Sequence, residues 1–484
     1  MVSFKSFGPF DAVDGWSGQT IGVWLVDDVV ATIMADAAPH MKAAITSELG
    51  RLWKWDHTYH CVSNVAFIRK GTRQLVRPFK SFCSVMNEHG IILWYGFQAT
   101  ENAWADLLPH MTALLQRHRD HYQDPSWCAD AVWIDNCCDM RASIHALFGA
   151  PVPVCLDPFH WFQRWNDCIN VPVGSILNIL FRSQMRDAVL TPDEEDYRRA
   201  KERLPPDTKH SRILLETRRV ILPPHKLRSA IDKVINTWMQ RDLRLMQESA
   251  QRAINAHCGM DDADTSLRSK APLFFKMNVL PDVRRRQMAH VCRQLQHQRE
   301  RGANHCKADC TACLHICREE CTGCLSDPPG VDVNFNRQRD ADKRPEYYTG
   351  RGSSQLENLH HYLGDQVLSS VCGPFRCHNL MLASIYDWNI DRRCQNCDCD
   401  SSLPLPLQHR AASLLRINSY AASAQQRLGA SVELPFPHVR APTRSPDLEK
   451  LGCECHAYPD NLLSPDADDG LPTADPGNSG SDPT

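Results

Sequence analysis

Long apolar runs are missing from this 484-residue chain. No stretch approaches the ~20 apolar residues that a membrane-spanning helix needs, so none is expected. The opening Met1-Val-Ser-Phe-Lys5 carries no apolar segment of the kind a secretory leader requires. An excess of charge is also missing. There are 54 basic and 57 acidic residues, a formal net charge of −3. That excludes a globally basic, nucleic-acid-coating surface, so any DNA affinity has to come from local patches. The densest is Arg284-Arg285-Arg286 with Arg293, Arg299 and Arg301, although arginines along a helix more often form a solvated face. Neither a zinc finger nor a helix-turn-helix is recognisable.

Cysteine, by contrast, is abundant: 22 residues. Several stand alone in apolar segments (Cys61, Cys83, Cys155, Cys168), which is unlike a secreted disulfide scaffold. The expectation is a reducing compartment, with clustered cysteines binding metal or packing as small hydrophobes. Cys306, Cys310, Cys313, Cys317, Cys321 and Cys324 recur at spacings of 4, 3, 4, 4 and 3. On a helix that is one face, and a small-residue packing stripe is the plainer reading. Cys310-Thr-Ala-Cys313 and Cys321-Thr-Gly-Cys324 are also two C-x₂-C units, the spacing of zinc knuckles, with His305 and His315 as spare ligands. Cys394, Cys397 and Cys399 form a second candidate group, with Cys372, Cys377 or His378 as a fourth ligand. Zinc in either group would be structural. Cys453-Glu454-Cys455-His456 near the end suggests no role.

In chain order, residues 1–50 read as a strand at 21–26 followed by a helix over 29–49. Residues 51–160 read as strands at 52–65, 79–86 and 91–97, a helix from about 100, a strand ending on Asp135, a helix over 140–148 and a strand at 152–157. An antiparallel meander followed by strand, helix, strand is the order of a ribonuclease H-like α/β domain. From 161 to 345 strand signals fade and amphipathic helices dominate (176–189, 194–204, 226–253, 284–302), as in an all-α insertion. Residues 346–430 bring back the core with a helix carrying Glu357, a Cys394–Cys399 loop and a last helix over 411–428. The tail, 431–484, is rich in Pro, Asp, Ser and Gly and is expected to be disordered.

Three carboxylates stand out. Trp53-Lys-Trp-Asp-His-Thr-Tyr-His60 sets Asp56 inside an aromatic strand, where a charge is costly unless paired or on metal. Ala131-Val-Trp-Ile-Asp135 ends an apolar strand on Asp135, and Arg351-Gly-Ser-Ser-Gln-Leu-Glu-Asn-Leu-His-His361 carries Glu357 in the first turns of a helix. Taken singly, an aspartate after a strand is more often a turn or helix cap than a ligand. Taken together, two aspartates and a glutamate suit hard divalent cations, and two such ions clamp a phosphodiester.

Trp55-Asp-His-Thr-Tyr59, Asn87-Glu-His-Gly90, Trp133-Ile-Asp-Asn136 and Arg351–His360, in that order, resemble the eukaryotic DDE transposases of the Kyakuja–Dileera–Zisupton, Mutator-like and hAT assemblage. Asp157-Pro-Phe-His160 matches their Cys-or-Asp, two residues, His motif. The resemblance covers about residues 40–370. It implies a ribonuclease H-like mixed sheet with flanking helices, interrupted by the helical insertion. It also implies Asp56, Asp135 and Glu357 as ligands of two Mg²⁺ or Mn²⁺ ions, with Asp157 and His160 accessory. The expected activity is hydrolysis and strand transfer on DNA, at transposon ends and target, in the nucleus and by a homo-oligomer. Such transposases usually carry an N-terminal DNA-binding domain, which is not recognisable here. Two other readings stay open: a domesticated, inactive derivative that binds DNA or protein, and a zinc-organised interaction scaffold.

Overall fold

A computed structural model describes residues 23–69, 74–99, 103–257, 272–292, 323–337, 344–368, 371–396 and 449–455. The chain starts with helix α1 (Val23–Thr46) and continues through strands β1 (Leu52–Thr58), β2 (Phe67–Arg69), β3 (Gln74–Val76), β4 (Ser81–Met86) and β5 (Ile92–Gln98). Next come α2 (Ala103–Tyr122), β6 (Ala131–Ile134), α3 (Cys137–Phe148) and β7 (Val154–Leu156). A mainly helical block follows: α4 (Pro158–Gln163), α5 (Ile176–Val189), β8 (Leu190–Pro192), α6 (Glu194–Arg203), α7 (His210–Leu215), β9 (Arg219–Ile221), α8 (Pro224–His257) and α9 (Leu280–Val291). The short strands β10 (Asn334–Asn336) and β11 (Tyr347–Thr349) lead to α10 (Ser354–Tyr362), one π-helical turn (Leu363–Val367) and α11 (Pro374–Asn396).

The result is an α/β architecture around a mixed five-stranded sheet of order β5-β4-β1-β6-β7. β1, β4 and β5 pair antiparallel, whereas β6 and β7 run parallel to β1. Alternation along β1 sends its residues to opposite faces. Trp53 and Trp55 enter the main core with Ile134, Leu114 and Phe148. Leu52 joins Ala131, Trp133, Cys155 and Val333 in a smaller cluster on the other face. Lys54 and Asp56 continue that second face, so the periodicity that buries two tryptophans also points a carboxylate at whatever covers the sheet there.

The Asn87–Gly90 turn fixes where β1 begins. Asn87 Oδ1 accepts from His89 N and Ile91 N (both 2.9 Å), and Gly90 supplies the positive φ of +83°. The Glu88 carboxylate accepts from Arg51 N and Leu52 N, each at 3.0 Å. This pins β1 in register with β4.

Several expectations are corrected. Residues 23–26 belong to α1 and not to a strand; the same helix buries Ala37, Met41, Ala44 and Ile45 further along. The first strand stops at Thr58 and a 3₁₀ turn takes Cys61–Asn64. The helical block does contain strands, but three-residue ladders leave no periodicity to read. α9 spans Leu280–Val291, earlier than expected, with Pro281 in its first turn. α11 was not foreseen: it is buried nearly all round and hides Arg376, His378, Asn379 and Asn389, so it shows no amphipathic stripe. Cys394 lies in its last turns, not in a loop. Residues 449–455, assigned to a disordered tail, pack on the β5 edge, with Gly452 N donating to Tyr95 O (3.0 Å) and Phe97 N to Gly452 O (3.3 Å). A bare sheet edge leaves ladder groups unpaired, and this segment fills them while burying Leu451 and Cys453. The expected helix over 411–428 lies outside the described residues.

Candidate metal centre

Asp157 organises the site. It caps α4 by accepting from Phe159 N (2.8 Å), with Pro158 in the first helical position. Its other oxygen accepts from Ser353 N (3.0 Å), from Ser353 Oγ and from His160 Nδ1 (2.8 Å). This fully buried carboxylate therefore ties the start of α4 to the loop that launches α10. Gly352, at φ +70°, is needed there because a Cβ would come within 2.8 Å of Asp157 Oδ1.

The consequence is convergence. With Nδ1 held by Asp157, His160 directs Nε2 at Glu357 Oε1 (3.0 Å) and Asp56 Oδ1 (3.7 Å). Asp56, His160 and Glu357 can each offer one donor atom within 4.8 Å of the others. Carboxylate–imidazole–metal relays are built this way, with a carboxylate on Nδ1 fixing the tautomer that leaves Nε2 free. Asp56 Oδ2 is buried without a hydrogen-bond partner, and so is His360 Nδ1, 3.5 Å from it. His360 Nε2 lies 2.9 Å from Ser84 Oγ, on the residue that faces Asp56 across the β1–β4 ladder.

The three groups strongly perturb one another. Burial, with the neighbouring Glu357 and Asp157 charges, pushes the Asp56 carboxyl well above its usual range. Burial alone would lower the His160 imidazole, but its bonds to Asp157 and Glu357 and the Asp56 charge outweigh that and hold it at about 11. The bond from His160 in turn pulls Glu357 down. Burial keeps His360 neutral, lowered to about 3, and brings Lys54 down to about 8 despite the Glu88 and Asp157 charges.

Asp135 does not join this group. The β1–β6 register runs Leu52–Ala131 to Trp55–Ile134, so Asp56 lies one residue past the last pair on β1 and Asp135 one residue past it on β6. Its half-exposed carboxylate instead pairs with Arg164, which also donates to Asp135 O (2.8 Å). Of the expected residues, then, Asp56, Glu357 and His160 converge, Asp157 braces them, and Asp135 stands alongside in an ion pair.

A second group was not foreseen. Cys137, Cys138, His290 and Cys324 also offer four donor atoms within 4.8 Å of one another. Cys324 belongs to the predicted zinc cluster, but Cys306, Cys310, Cys313, Cys317 and Cys321 lie outside the described residues, as do Cys397 and Cys399. The predicted fourth-ligand candidates Cys372 and Cys377 instead sit beside Cys453, hydrogen-bonded through Cys377. His360 could have been found, since it follows Glu357 by three residues on one helical face. His290 could not, because nothing local marks it. In the arginine patch, Arg284 pairs with Asp232 (2.6 Å), and Arg285 and Arg286 pair with Asp282. Arg293, Arg299 and Arg301 lie outside the described residues.

Comparison of the chain with known protein families, with curated proteins and with solved structures finds no match.

Proposed function

We propose that this chain is a DDE-transposase-like protein that uses divalent cations to cut and join DNA phosphodiesters. The observation that carries the reading is the meeting of Asp56 and Glu357, far apart in sequence, on one face of the central sheet, one ladder step from Asp135. The mixed sheet, with a three-stranded antiparallel half and two parallel strands after it, supports a ribonuclease H-like reading, in which the block from α4 to α9 would be the helical insertion. The donor set fits the expected ions: carboxylate oxygens suit Mg²⁺ and Mn²⁺, and the His160 imidazole favours Mn²⁺. Bound there, such ions activate an attacking hydroxyl and take up charge on the leaving oxygen.

The residues have separable tasks. Asp157 orients His160 and anchors the Ser353 turn, which sets where Glu357 descends. His160 gives up its Nε2 proton to serve as ligand, so cation affinity rises with pH. Asp135 would complete the carboxylate set only by exchanging Arg164 for a cation, and the guanidinium would then be available to a phosphate oxygen. The test is cleavage of supercoiled DNA by the full chain with Mg²⁺ or Mn²⁺. Wild type should nick it and Asp135→Asn should not, while both remain folded. Equal cleavage by the two would refute the assignment.

A second reading has its own support. The Arg164–Asp135 pair and the His160 imidazolium neutralise the centre without any metal, as a domesticated, inactive derivative would allow. DNA binding without cation-dependent cleavage would favour it. The zinc-organised scaffold would instead show no DNA affinity at low salt, where phosphate contacts are strongest.

A further inference from the structure

Cys137 and Cys138 begin α3, two and three residues after Asp135, where β6 turns into the helix. His290 sits in the last turn of α9. Cys324 follows Gly323 in a segment clamped on both sides: Cys324 O accepts from Leu156 N at the end of β7 (2.7 Å), and Leu325 N donates to His290 O (3.0 Å). Gly323 is required by this close approach, since a Cβ there would stand 2.3 Å from Val291 O and 2.6 Å from His290 O. The backbone therefore holds Cys324 against His290 whether or not a ligand is present.

The donor atoms are spaced as a coordination shell. Cys137 Sγ to Cys138 Sγ is 3.7 Å, Cys138 Sγ to Cys324 Sγ 3.8 Å, Cys138 Sγ to His290 Nδ1 3.6 Å and His290 Nδ1 to Cys324 Sγ 3.2 Å. A Cys₃His tetrahedron with ~2.3 Å zinc–sulfur and ~2.0 Å zinc–nitrogen bonds has edges of about 3.5–3.8 Å, which the three distances from Cys138 match and the His290–Cys324 distance falls slightly short of. A disulfide would use two of the three sulfurs and leave the imidazole without a purpose, and among the described residues no cysteine forms one. Three of the four residues are buried and Cys138 is partly so.

We propose that Cys137, Cys138, His290 and Cys324 bind one zinc ion as a closed Cys₃His site. Four protein ligands leave no open position, so the ion is structural. It ties three segments that are distant in sequence: the start of α3, the end of α9 and the Gly323–Leu325 strap. It also lies beside the Asp135 turn, because Arg164, the partner of Asp135, has Nη1 3.3 Å from His290 Nε2. With Nδ1 on zinc, Nε2 carries the ring proton, and that contact ceases to be a hydrogen bond, leaving Arg164 held by Asp135 alone. The zinc site thus fastens the helical block to the sheet at the one carboxylate not yet gathered into the other centre. The inference stands apart from catalysis, since an inactive derivative would keep the same site.

The experiment is zinc content, by elemental analysis of the purified full chain, for wild type and four variants. Cys138→Ser and His290→Ala should each lose one equivalent relative to wild type. His290→Cys, which restores a four-ligand set, should keep it. Cys128→Ser, outside the group, is the control and should match wild type. If the loss variants do not fold, cobalt(II) exchanged into wild type gives the second readout, with the intense d–d bands of tetrahedral cobalt and sulfur-to-cobalt charge transfer present in wild type and His290→Cys. Wild type free of zinc, or folded Cys138→Ser and His290→Ala with undiminished zinc, would overturn the proposal.

Discussion

The two groups of candidate metal ligands in this protein are built in opposite ways. The Cys137–Cys138–His290–Cys324 group is closed: soft ligands, little solvent, no vacant position, and backbone hydrogen bonds that hold the pieces together. The Asp56–His160–Glu357 group is open: hard ligands, a partly exposed glutamate, a buried oxygen without a partner, and a neighbouring carboxylate held aside by an arginine. A structural centre can satisfy every group in the resting state. A reactive one must leave some unsatisfied so that they bind later, and it loses resting stability as a result.

The sharpest way to break this comparison is to remove a ligand from the open centre. Asp56→Asn or Glu357→Gln should lower Mn²⁺-dependent DNA cleavage on the order of 10³-fold or more, with unchanged circular dichroism. Retention of activity in both would dissolve the distinction. Next in size is metal removal. A zinc-selective chelator should destabilise the chain by several kcal/mol, short of the ~10–16 kcal/mol that a zinc finger gains, because this chain has its own core. A chelator selective for hard cations should change stability far less, as read from urea midpoints.

Asp157→Ala should cost about 3–5 kcal/mol, because it strands His160 and the Ser353 amide in a buried setting. Asp56→Asn should go the other way: without divalent cation it should raise stability by roughly 1–3 kcal/mol, since it removes a buried carboxyl that has to be kept protonated far above its usual range. Cation should then stabilise wild type but not the variant. A variant less stable than metal-free wild type would mean that Asp56 is structural.

The last check is in pH. Burial lowers His57 to about 4 and His118 and His360 to about 3. The unfolded chain takes up these protons near pH 6.5 and the folded chain does not. Stability is therefore present above about pH 6.5 and is lost as pH falls toward 4 and 3, with a slope approaching ~1.4 kcal/mol per pH unit for each histidine. The His160 term has the opposite sign: with its folded value raised to about 11, its contribution is full below about pH 6.5 and fades as pH rises toward 11. Added cation should flatten that alkaline limb. Urea midpoints at pH 5, 7 and 9, with and without Mn²⁺, check both signs.

What was legible from sequence follows from locality. Alternation in Trp53-Lys-Trp-Asp56 marks a strand with a charge on one face. Asp157-Pro158 marks a helix start by its capping chemistry, and the Asn87–Gly90 turn marks itself by an Asx bond and a positive φ. These are one-turn effects whose physics lies within a few residues. α11 was not legible, because a helix buried on nearly every side has no polar face to set its period. Neither was the docking of residues 449–455, because it depends on an empty edge of β5.

The sequence by itself determined the elements of the central sheet, the face on which Asp56 lies and the helix that carries Glu357. Only the tertiary structure decided which donors share a site. His160 was displaced from accessory to central by one hydrogen bond to Asp157, and Asp135, one ladder step from Asp56, was turned to Arg164 instead. Cys324 was separated from its local C-x₂-C pattern and set against Cys137, Cys138 and His290. The reason is geometric: a ligand shell is a few ångströms across, and the residues that fill it are placed by long-range packing and loop closure, of which local periodicity carries no trace.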